Sequence, residues 1–190
     1  EHIGSMFKDY NLDQVNKIQV VKQADVVMLL YLLEHKFSKE VKKANYDYYE
    51  KRTLHDSSLS LSTHSILASD IDEKDLAYKL FQEATKIDLG ENMKTSDHGI
   101  HAASLGGLWQ IVVNGFGGVR MVGGNLRINP KLPENWSRLS FSFMWKGNKL
   151  DIELTKEGIK IEVKDEMLEE IEILVYDKKY VLNQILKIKF

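Results

Sequence analysis

The spacing of the apolar residues changes once along this chain of 190 residues, and that change limits the folds it can adopt. Up to about Gly115 the apolar residues recur at helical intervals, whereas after about Gly117 they alternate with polar residues. Several short alternating strands without helices between them favour an antiparallel sheet or sandwich. The pattern therefore predicts an α+β fold, with a helical domain over residues 1–116 and a small β domain over residues 117–190.

The helical part contains five predicted helices, of which the first is the most apolar. They are expected over residues 23–35, after an N-cap at Ser38, after Ser58, after an N-cap at Asp72, and over residues 102–114 with a stop at Gly115. The first helix is apolar nearly all round, so it requires burial among other helices. If some of those neighbours are not in this chain, the faces of Val26–Leu33 and Leu105–Val112 remain exposed and favour self-association or partner binding.

The β part is predicted from four sets of alternating apolar residues with turn signals between them. The sets are Leu139/Phe141/Phe143/Trp145, Leu150/Ile152/Leu154, Ile159/Ile161/Val163 and Ile171/Ile173/Val175. Tyr180, Leu182, Ile185, Leu186 and Ile188 are expected in closing strands. Both prolines, Pro130 and Pro133, are expected in a loop.

Composition excludes several classes of protein. The net charge of −2 provides no field that would attract nucleic acid or an anionic membrane. The chain contains no cysteine, so disulfides, thiolate zinc sites and cysteine nucleophiles are excluded. The longest apolar run, Val26–Leu33, is far shorter than the roughly 20 residues that span a bilayer, and no secretory signal is visible. We therefore expect a cytoplasmic protein without nucleic-acid or membrane partners.

Two segments of the helical part combine polar groups that suit ligand binding. Lys22–Asp25 leads into the apolar helix, where Lys22 and Gln23 either cap the helix or hydrogen-bond sugar hydroxyls. Residues 53–64 contain six hydroxyls, two imidazoles and a carboxylate, a set that suits anion binding at a helix start. The alternatives for this segment are that Asp56 or Ser57 only caps the helix, or that a Ser–His–Asp triad forms, which adjacency in sequence does not support.

A third segment, residues 98–109, places His101 and Ser104 at another helix start. An imidazole, a hydroxyl and exposed backbone amides suit phosphate or sulfate, and Gly106–Gly107 allows a ligand or a backbone to approach closely. Tight packing of this helix against a neighbour would explain the same small residues.

Five motifs follow one another between Lys22 and Lys164 and carry a family resemblance. They are Lys22–Val27, Thr53–Ser60, Gly99–Trp109, Asn114–Arg120 and Pro130–Trp136. In this order they resemble the C-terminal part of glycoside hydrolase family 65, which contains the maltose, kojibiose, nigerose and trehalose phosphorylases. The resemblance implies that residues 1–116 are the last helices of an (α/α)6 barrel and that residues 117–190 are the small C-terminal β domain.

The same resemblance implies a reaction and a set of site residues. An α-linked glucobiose is attacked at its anomeric carbon by inorganic phosphate, with inversion, to give β-glucose 1-phosphate and a free sugar. Phosphate is a co-substrate, and no cofactor or metal is implied. By resemblance, the sugar-binding residues are Lys22 and Gln23, and the phosphate-binding residues are Ser57, Ser58, His101, Ser104 and Gly106.

The family's general acid, a glutamic acid, belongs to an upstream motif that this chain does not contain. We therefore expect no catalytic residue in this chain and no activity of the chain alone; its partners would be the disaccharide, phosphate, and either the missing N-terminal part or a second copy. The alternatives are a hydrolase member of the family, a non-catalytic sugar- or anion-binding module, and a metal enzyme. The metal site would use His55, His64, His98 and His101, without an obvious carboxylate ligand.

Overall fold

The computed structural model describes residues 10–190 except residues 16, 56, 90–98, 165–166 and 168–169. Two residues singled out from the sequence, Asp56 and His98, therefore lie outside the described residues. The chain forms two compact units, which meet in sequence between Ile111 and Val112.

The first unit is helical. Its α-helices are α1 (Leu12–Val15), α2 (Asp25–Leu32), α3 (Lys39–Glu50), α4 (Ser60–Asp70), α5 (Lys74–Thr85) and α6 (Ala102–Gln110). A short 3-10 helix over Glu34–Lys36 follows α2, and a π-helix over Ile111–Phe116 continues from α6. In the part of the chain that the structure describes, no helix is both long and apolar enough to cross a membrane.

Helix α4 is the centre of this unit, since it contacts α2, α3, α5 and α6 and is buried from Ser60 to Ser69. Most of its side chains are small, so neighbouring helices approach it closely. Several of its buried hydroxyls bond to backbone carbonyls, as is usual for buried polar groups. Ser62 Oγ donates to the carbonyl of Leu59 at 3.1 Å, and Ser65 Oγ donates to the carbonyl of Ala77 on α5 at 2.8 Å.

Helix α2 is buried on one side only. Val27 and Leu30 pack into the unit, whereas Met28, Leu29 and Leu32 are 37%, 45% and 62% exposed. The predicted exposed apolar face is therefore confirmed, and the residues that the structure describes do not bury this helix on all sides. The central position belongs to α4 instead, because small side chains suit close helix packing better than long apolar ones.

Helix boundaries agree with the sequence at one predicted cap and differ at two other positions. Ser38 caps α3, with its Oγ accepting a hydrogen bond from a backbone N–H of the first turn at 3.3 Å. The cap predicted at Asp72 is wrong: Glu73 occupies the N-cap position, and the carboxylate of Asp72 pairs with Lys39. The stop predicted at Gly115 is also wrong, because Gly115 lies inside the π-helix.

The second unit contains two four-stranded sheets, with strand orders β1-β2-β6-β7 and β3-β4-β5-β8. The strands are β1 (Val119–Val122), β2 (Asn125–Ile128), β3 (Arg138–Trp145), β4 (Asn148–Thr155), β5 (Gly158–Val163), β6 (Ile171–Val175), β7 (Lys178–Leu182) and β8 (Ile185–Lys189). Neighbouring strands are antiparallel except β2 and β6, which are parallel. The parallel pair departs from the predicted antiparallel arrangement. Three intervening strands in the other sheet separate β2 from β6, so no hairpin dictates their relative direction.

The two sheets share one apolar core. It includes the buried residues Leu126 and Ile173 from one sheet and Leu150, Ile152 and Ile161 from the other. The register of β4 and β5 agrees with this shared core, since Ile152 is paired with Ile161 and both side chains are buried. The predicted alternation, the closing strands and the α+β class, with helices first and strands after, are confirmed.

Candidate functional site

The first motif lies beside the segment between α3 and α4. Val21 and Thr53 form an isolated parallel bridge, in which Val21 N–H donates to Arg52 O at 2.8 Å and Leu54 N–H donates to Val21 O at 3.1 Å. The bridge fixes the segment that carries both predicted sugar-binding residues next to the start of the hydroxyl-rich segment.

Lys22 and Gln23 are exposed at this position, just before α2. Ala24 occupies the N-cap position of α2, and no side chain caps the helix there, so the capping alternative is wrong. Gln23 is also among the residues that line a cavity of about 110 Å³, together with Tyr49 and Thr53. The two side chains are therefore not used to stabilise the helix start.

Between α3 and α4, one carboxylate holds two imidazoles. Glu50 lies 3.3 Å from His55 Nε2 through Oε1, and it bonds His64 Nδ1 through Oε2. The other ring nitrogens face hydroxyls: His55 Nδ1 is 3.0 Å from Ser60 Oγ, and His64 Nε2 is 3.4 Å from Thr53 Oγ1. The two imidazole rings meet edge to face, with centroids 4.7 Å apart. All four ring nitrogens are thus engaged.

The charges in this network follow from burial and hydrogen bonding. Burial raises the pKa of the Glu50 carboxyl, but the bonds with His55 and His64 outweigh it and lower that pKa to about 2. Burial lowers the pKa of His64, and its contact with Glu50 opposes this only in part. Glu50 is therefore a carboxylate at neutral pH, and His64 is a neutral imidazole that donates a hydrogen bond from Nδ1.

Glu50, His55 and Ser60 form a row of carboxylate, imidazole and hydroxyl, the groups that a hydrolytic triad requires. Ser60, however, is only 2% exposed, and its hydroxyl donates to the carbonyl of Ser57 at 3.3 Å. A nucleophile must reach its substrate, so this row stabilises the start of α4 and does not act as a triad.

The same cluster brings together possible metal ligands. Within the described residues, ligand atoms of Glu50, His55 and His64 lie within 4.8 Å of one another, so Glu50 supplies the carboxylate that was not evident from the sequence. His101 is not part of this cluster, because it pairs with Asp88. Each imidazole nitrogen of the cluster already has a hydrogen-bond partner, which explains the arrangement without an ion.

Ser57 and Ser58 lie half-buried in the segment that leads into α4. Ser57 Oγ accepts a hydrogen bond from Leu59 N–H at 3.4 Å, and the Ser57 carbonyl accepts one from Ser60 Oγ at 3.3 Å. Leu59 occupies the N-cap position of α4, and no side chain caps the helix there, so a capping role for Ser57 is wrong. Ser60 instead links this segment to the carboxylate and imidazole network.

His101 begins the third motif and is held by Asp88. Its Nδ1 lies 2.6 Å from Asp88 Oδ1, and its backbone N–H donates to both carboxylate oxygens at 3.2 Å. Sequence reasoning missed Asp88. One signal pointed to it: α6 starts at a histidine rather than at a Ser, Thr, Asp or Asn, so its first N–H groups need an acceptor from elsewhere.

The remaining residues of this motif lie inside α6. Ser104 is 3% exposed, and its N–H donates to the carbonyl of His101 at 2.9 Å. An added Cβ at Gly106 would meet nothing within 4 Å, so this position presents open surface. An added Cβ at Gly107 would lie 2.7 Å from Ser62 Oγ on α4. Tight helix packing, one of the two interpretations of the glycine pair, is thus confirmed for Gly107.

The contact between Ser62 and Gly107 connects the second and third motifs. Together with the bridge at Thr53, this contact places the first motif and the middle of α6 next to the segment that contains the start of α4.

Two family models match the chain, one over each part. The "Glycosyl hydrolase family 65 central catalytic domain" matches residues 1–110, and the "Glycosyl hydrolase family 65, C-terminal domain" matches residues 119–182.

Known phosphorylases are similar to the chain over nearly all of its length. It is 46% identical to kojibiose phosphorylase of Halothermothrix orenii, over 95% of this chain and 24% of that protein. It is 44% identical to α,α-trehalose phosphorylase of Thermoanaerobacter brockii, over 90% of this chain and 22% of that protein. A solved structure of a putative kojibiose phosphorylase from the human microbiome matches 97% of this chain and 27% of its own, with 36% identity and a TM-score of 0.90. The chain thus spans about a quarter of the length of these proteins.

Proposed function

Because the chain belongs to glycoside hydrolase family 65, we propose that it supplies the phosphate site and part of the sugar site of an inverting disaccharide phosphorylase. A phosphate oxygen forms a bond to the anomeric carbon of an α-glucobiose while the bond to the leaving sugar oxygen breaks. A glutamic acid outside this chain gives its proton to that oxygen. The products are β-glucose 1-phosphate and a free sugar. Phosphate takes the place of the water in an inverting hydrolase, and no cofactor takes part.

The observation that carries this proposal is that the Val21–Thr53 bridge and the close approach of Gly107 to Ser62 connect the three motif segments. Ser57 and Ser58 offer hydroxyl donors beside one helix start, and His101 offers an imidazole beside another. Hydroxyl and imidazole donors suit the oxygens of phosphate, particularly next to helix N-termini. Lys22 and Gln23, which do not cap α2, remain available for sugar hydroxyls. In this proposal Ser104 and Gly106 shape the phosphate site, Ser104 from a buried position and Gly106 by leaving open space.

A chimera tests the assignment. In it, this chain replaces the matching segment of kojibiose phosphorylase of Halothermothrix orenii, which provides the upstream part. We expect release of β-glucose 1-phosphate from kojibiose only when phosphate is present. Equal cleavage of kojibiose without phosphate would contradict a phosphorylase and favour a hydrolase.

Two variants of the chimera address the phosphate residues. Ser57→Ala and Ser58→Ala each remove a hydrogen bond to a charged ligand, worth about 1.5–3 kcal/mol, so the KM for phosphate should rise about tenfold or more. Ser140→Ala in β3 removes an exposed hydroxyl of the other unit and serves as the control. Equal KM values for all three variants would refute the assignment of the two serines.

A binding module without catalysis is the second candidate function. The favourable observation is that the predicted anion-binding segments are hydrogen-bonded within this chain, His101 to Asp88 and Ser57 to Ser60. Titration calorimetry of the isolated chain with phosphate and with glucose separates the two functions. Millimolar or tighter binding favours the module, whereas the absence of binding favours a site that needs the upstream part.

A further inference from the structure

Asp88 contacts His101 at two points, which fixes both the backbone and the ring of the histidine. The carboxylate accepts hydrogen bonds from the backbone N–H through both oxygens, at 3.2 Å each, and its Oδ1 lies 2.6 Å from the ring Nδ1. A cap that served only the helix would need the backbone contact alone. The additional ring contact determines how the imidazole is oriented.

The direction of the proton in this pair follows from the charge on Asp88. The hydrogen bond from the His101 side chain lowers the pKa of the Asp88 carboxyl more than burial raises it. An ionised carboxylate only accepts hydrogen bonds, so His101 Nδ1 carries the proton that lies between them. The side chain of His101 is 35% exposed against 16% for Asp88, so the ring remains accessible from its Nε2 side.

Resting on the proposed phosphate site, we propose that Asp88 is a positioning residue for anion binding. It holds His101 in the tautomer with hydrogen on Nδ1 and directs Nε2 towards the anion. When an anion binds, the Asp88 carboxylate also stabilises the His101 imidazolium, which donates a hydrogen bond from Nε2 to the anion. Carboxylates orient histidines in this way in hydrolytic triads and behind metal-bound histidines.

A capping role and a positioning role predict different outcomes for Asp88→Asn. Asparagine caps a helix as well as aspartate, so a pure cap would survive the substitution. The neutral amide cannot stabilise an imidazolium, and it accepts a weaker hydrogen bond from Nδ1. A positioning residue would therefore lose its effect while the helix remains folded.

The test uses this 190-residue chain, labelled at histidine nitrogen, and inorganic phosphate as the probe. Long-range proton–nitrogen NMR spectra report which nitrogen of His101 carries hydrogen. We expect the Nδ1–H tautomer in the wild type and a shift of the Nε2 resonance on adding phosphate. In Asp88→Asn the Nε2–H tautomer should increase, and the dissociation constant for phosphate should rise at least about tenfold. Asp75→Asn, an exposed position at the start of α5, removes the same charge and is the control.

The outcomes separate this inference from the function on which it rests. If His101 of the wild type responds to phosphate neither in this chain nor in the chimera that supplies the upstream part, the phosphate site itself is refuted, whatever Asp88 does. If His101 responds but Asp88→Asn binds phosphate as tightly as Asp75→Asn, the role of Asp88 is refuted and the site stands. An Nε2–H tautomer in the wild type would also overturn the inference, and that measurement requires no variant.

Discussion

Glu50 connects two histidines to the start of α4. Its two oxygens bond His55 and His64, and His55 in turn bonds Ser60 in the first turn of α4. His55 also has a φ of 51°, a left-handed conformation that a residue other than glycine adopts only when its surroundings enforce it. The carboxylate therefore holds a strained residue next to the proposed phosphate serines.

Replacing this carboxylate should destabilise the helical unit. Glu50→Gln keeps the shape of the side chain but leaves two buried imidazoles with a weaker partner, and we expect the free energy of unfolding to fall by about 2 kcal/mol. Urea denaturation measures this change. Glu83→Gln on α5, which removes an exposed ion pair with Lys86, is the control and should change the free energy by less than about 1 kcal/mol. Equal effects of both variants would contradict the role of Glu50.

Acid should remove the contribution of this network in a defined pH range. The pKa of Glu50 is lowered from 4.5 to about 2 on folding, so its contribution is complete above pH 4.5 and is lost as the pH falls towards 2. Neutral buried His64 acts in the same direction, since its pKa is lowered from 6.5 and its protonation in acid opposes folding. Denaturation at a series of pH values should therefore show the difference between wild type and Glu50→Gln shrinking below pH 4.5. A difference independent of pH would refute this.

At the scale of single residues, the sequence identified the side chains that could bind a ligand better than the carboxylates that hold those side chains in place. His55, His64, His101 and the serines stand out as a cluster of hydroxyls and imidazoles. Glu50 and Asp88 did not stand out, because each lies outside a recognisable motif. Glu50 gains its role only when α3 packs against α4, and Asp88 gains its role only when the segment after α5 meets the start of α6. A carboxylate on a charged helix surface has no distinguishing sequence pattern.

At the scale of the elements, the close contact between α4 and α6 can be tested within one glycine pair. A Cβ at Gly107 would lie 2.7 Å and 2.8 Å from Oγ and Cβ of Ser62, whereas a Cβ at Gly106 would meet nothing within 4 Å. Gly107→Ala should therefore lower the free energy of unfolding by about 1–3 kcal/mol, because the helices must separate. Gly106→Ala should raise it by up to about 1 kcal/mol, since alanine favours the helix. Thermal unfolding compares the two, and equal stability would contradict the packing.

Periodicity predicted the existence of helices and strands, but it misjudged which helix lies at the centre. Apolarity favoured Val26–Leu33, and the structure buries α4 instead, with serine, threonine, histidine and alanine along its length. Buried hydroxyls are tolerated in the interior when they bond to backbone carbonyls. The small size of the α4 side chains, and not their apolarity, therefore accounts for the central position of this helix. The boundaries at Asp72 and Gly115 were missed for a related reason: tertiary contacts and a π-helix determined them, not local cap preferences.

At the scale of the whole chain, the functional proposal came from the order of five motifs and not from any one of them. The first two motifs each had a capping interpretation, and both interpretations failed in the structure: Lys22 and Gln23 do not cap α2, and Ser57 does not cap α4. Their side chains therefore do not act as helix caps, which is compatible with a role in ligand binding. The geometry is thus compatible with the site proposed from the order of the motifs.

The exposed apolar stripes of the helical unit lead to a prediction about assembly. Leu32 on α2 and Trp109 on α6 are 62% and 53% exposed, and each continues a stripe of residues four positions apart, Met28 with Leu32 and Leu105 with Trp109. We expect the isolated chain to self-associate, with light scattering showing a mass that rises with concentration. Because burial of one such side chain contributes about 1.5–3 kcal/mol, Leu32→Glu or Trp109→Glu should weaken association more than tenfold. Met144→Glu, at an equally exposed position in β3, should leave it unchanged. A monomer at all concentrations would show that these stripes do not drive association.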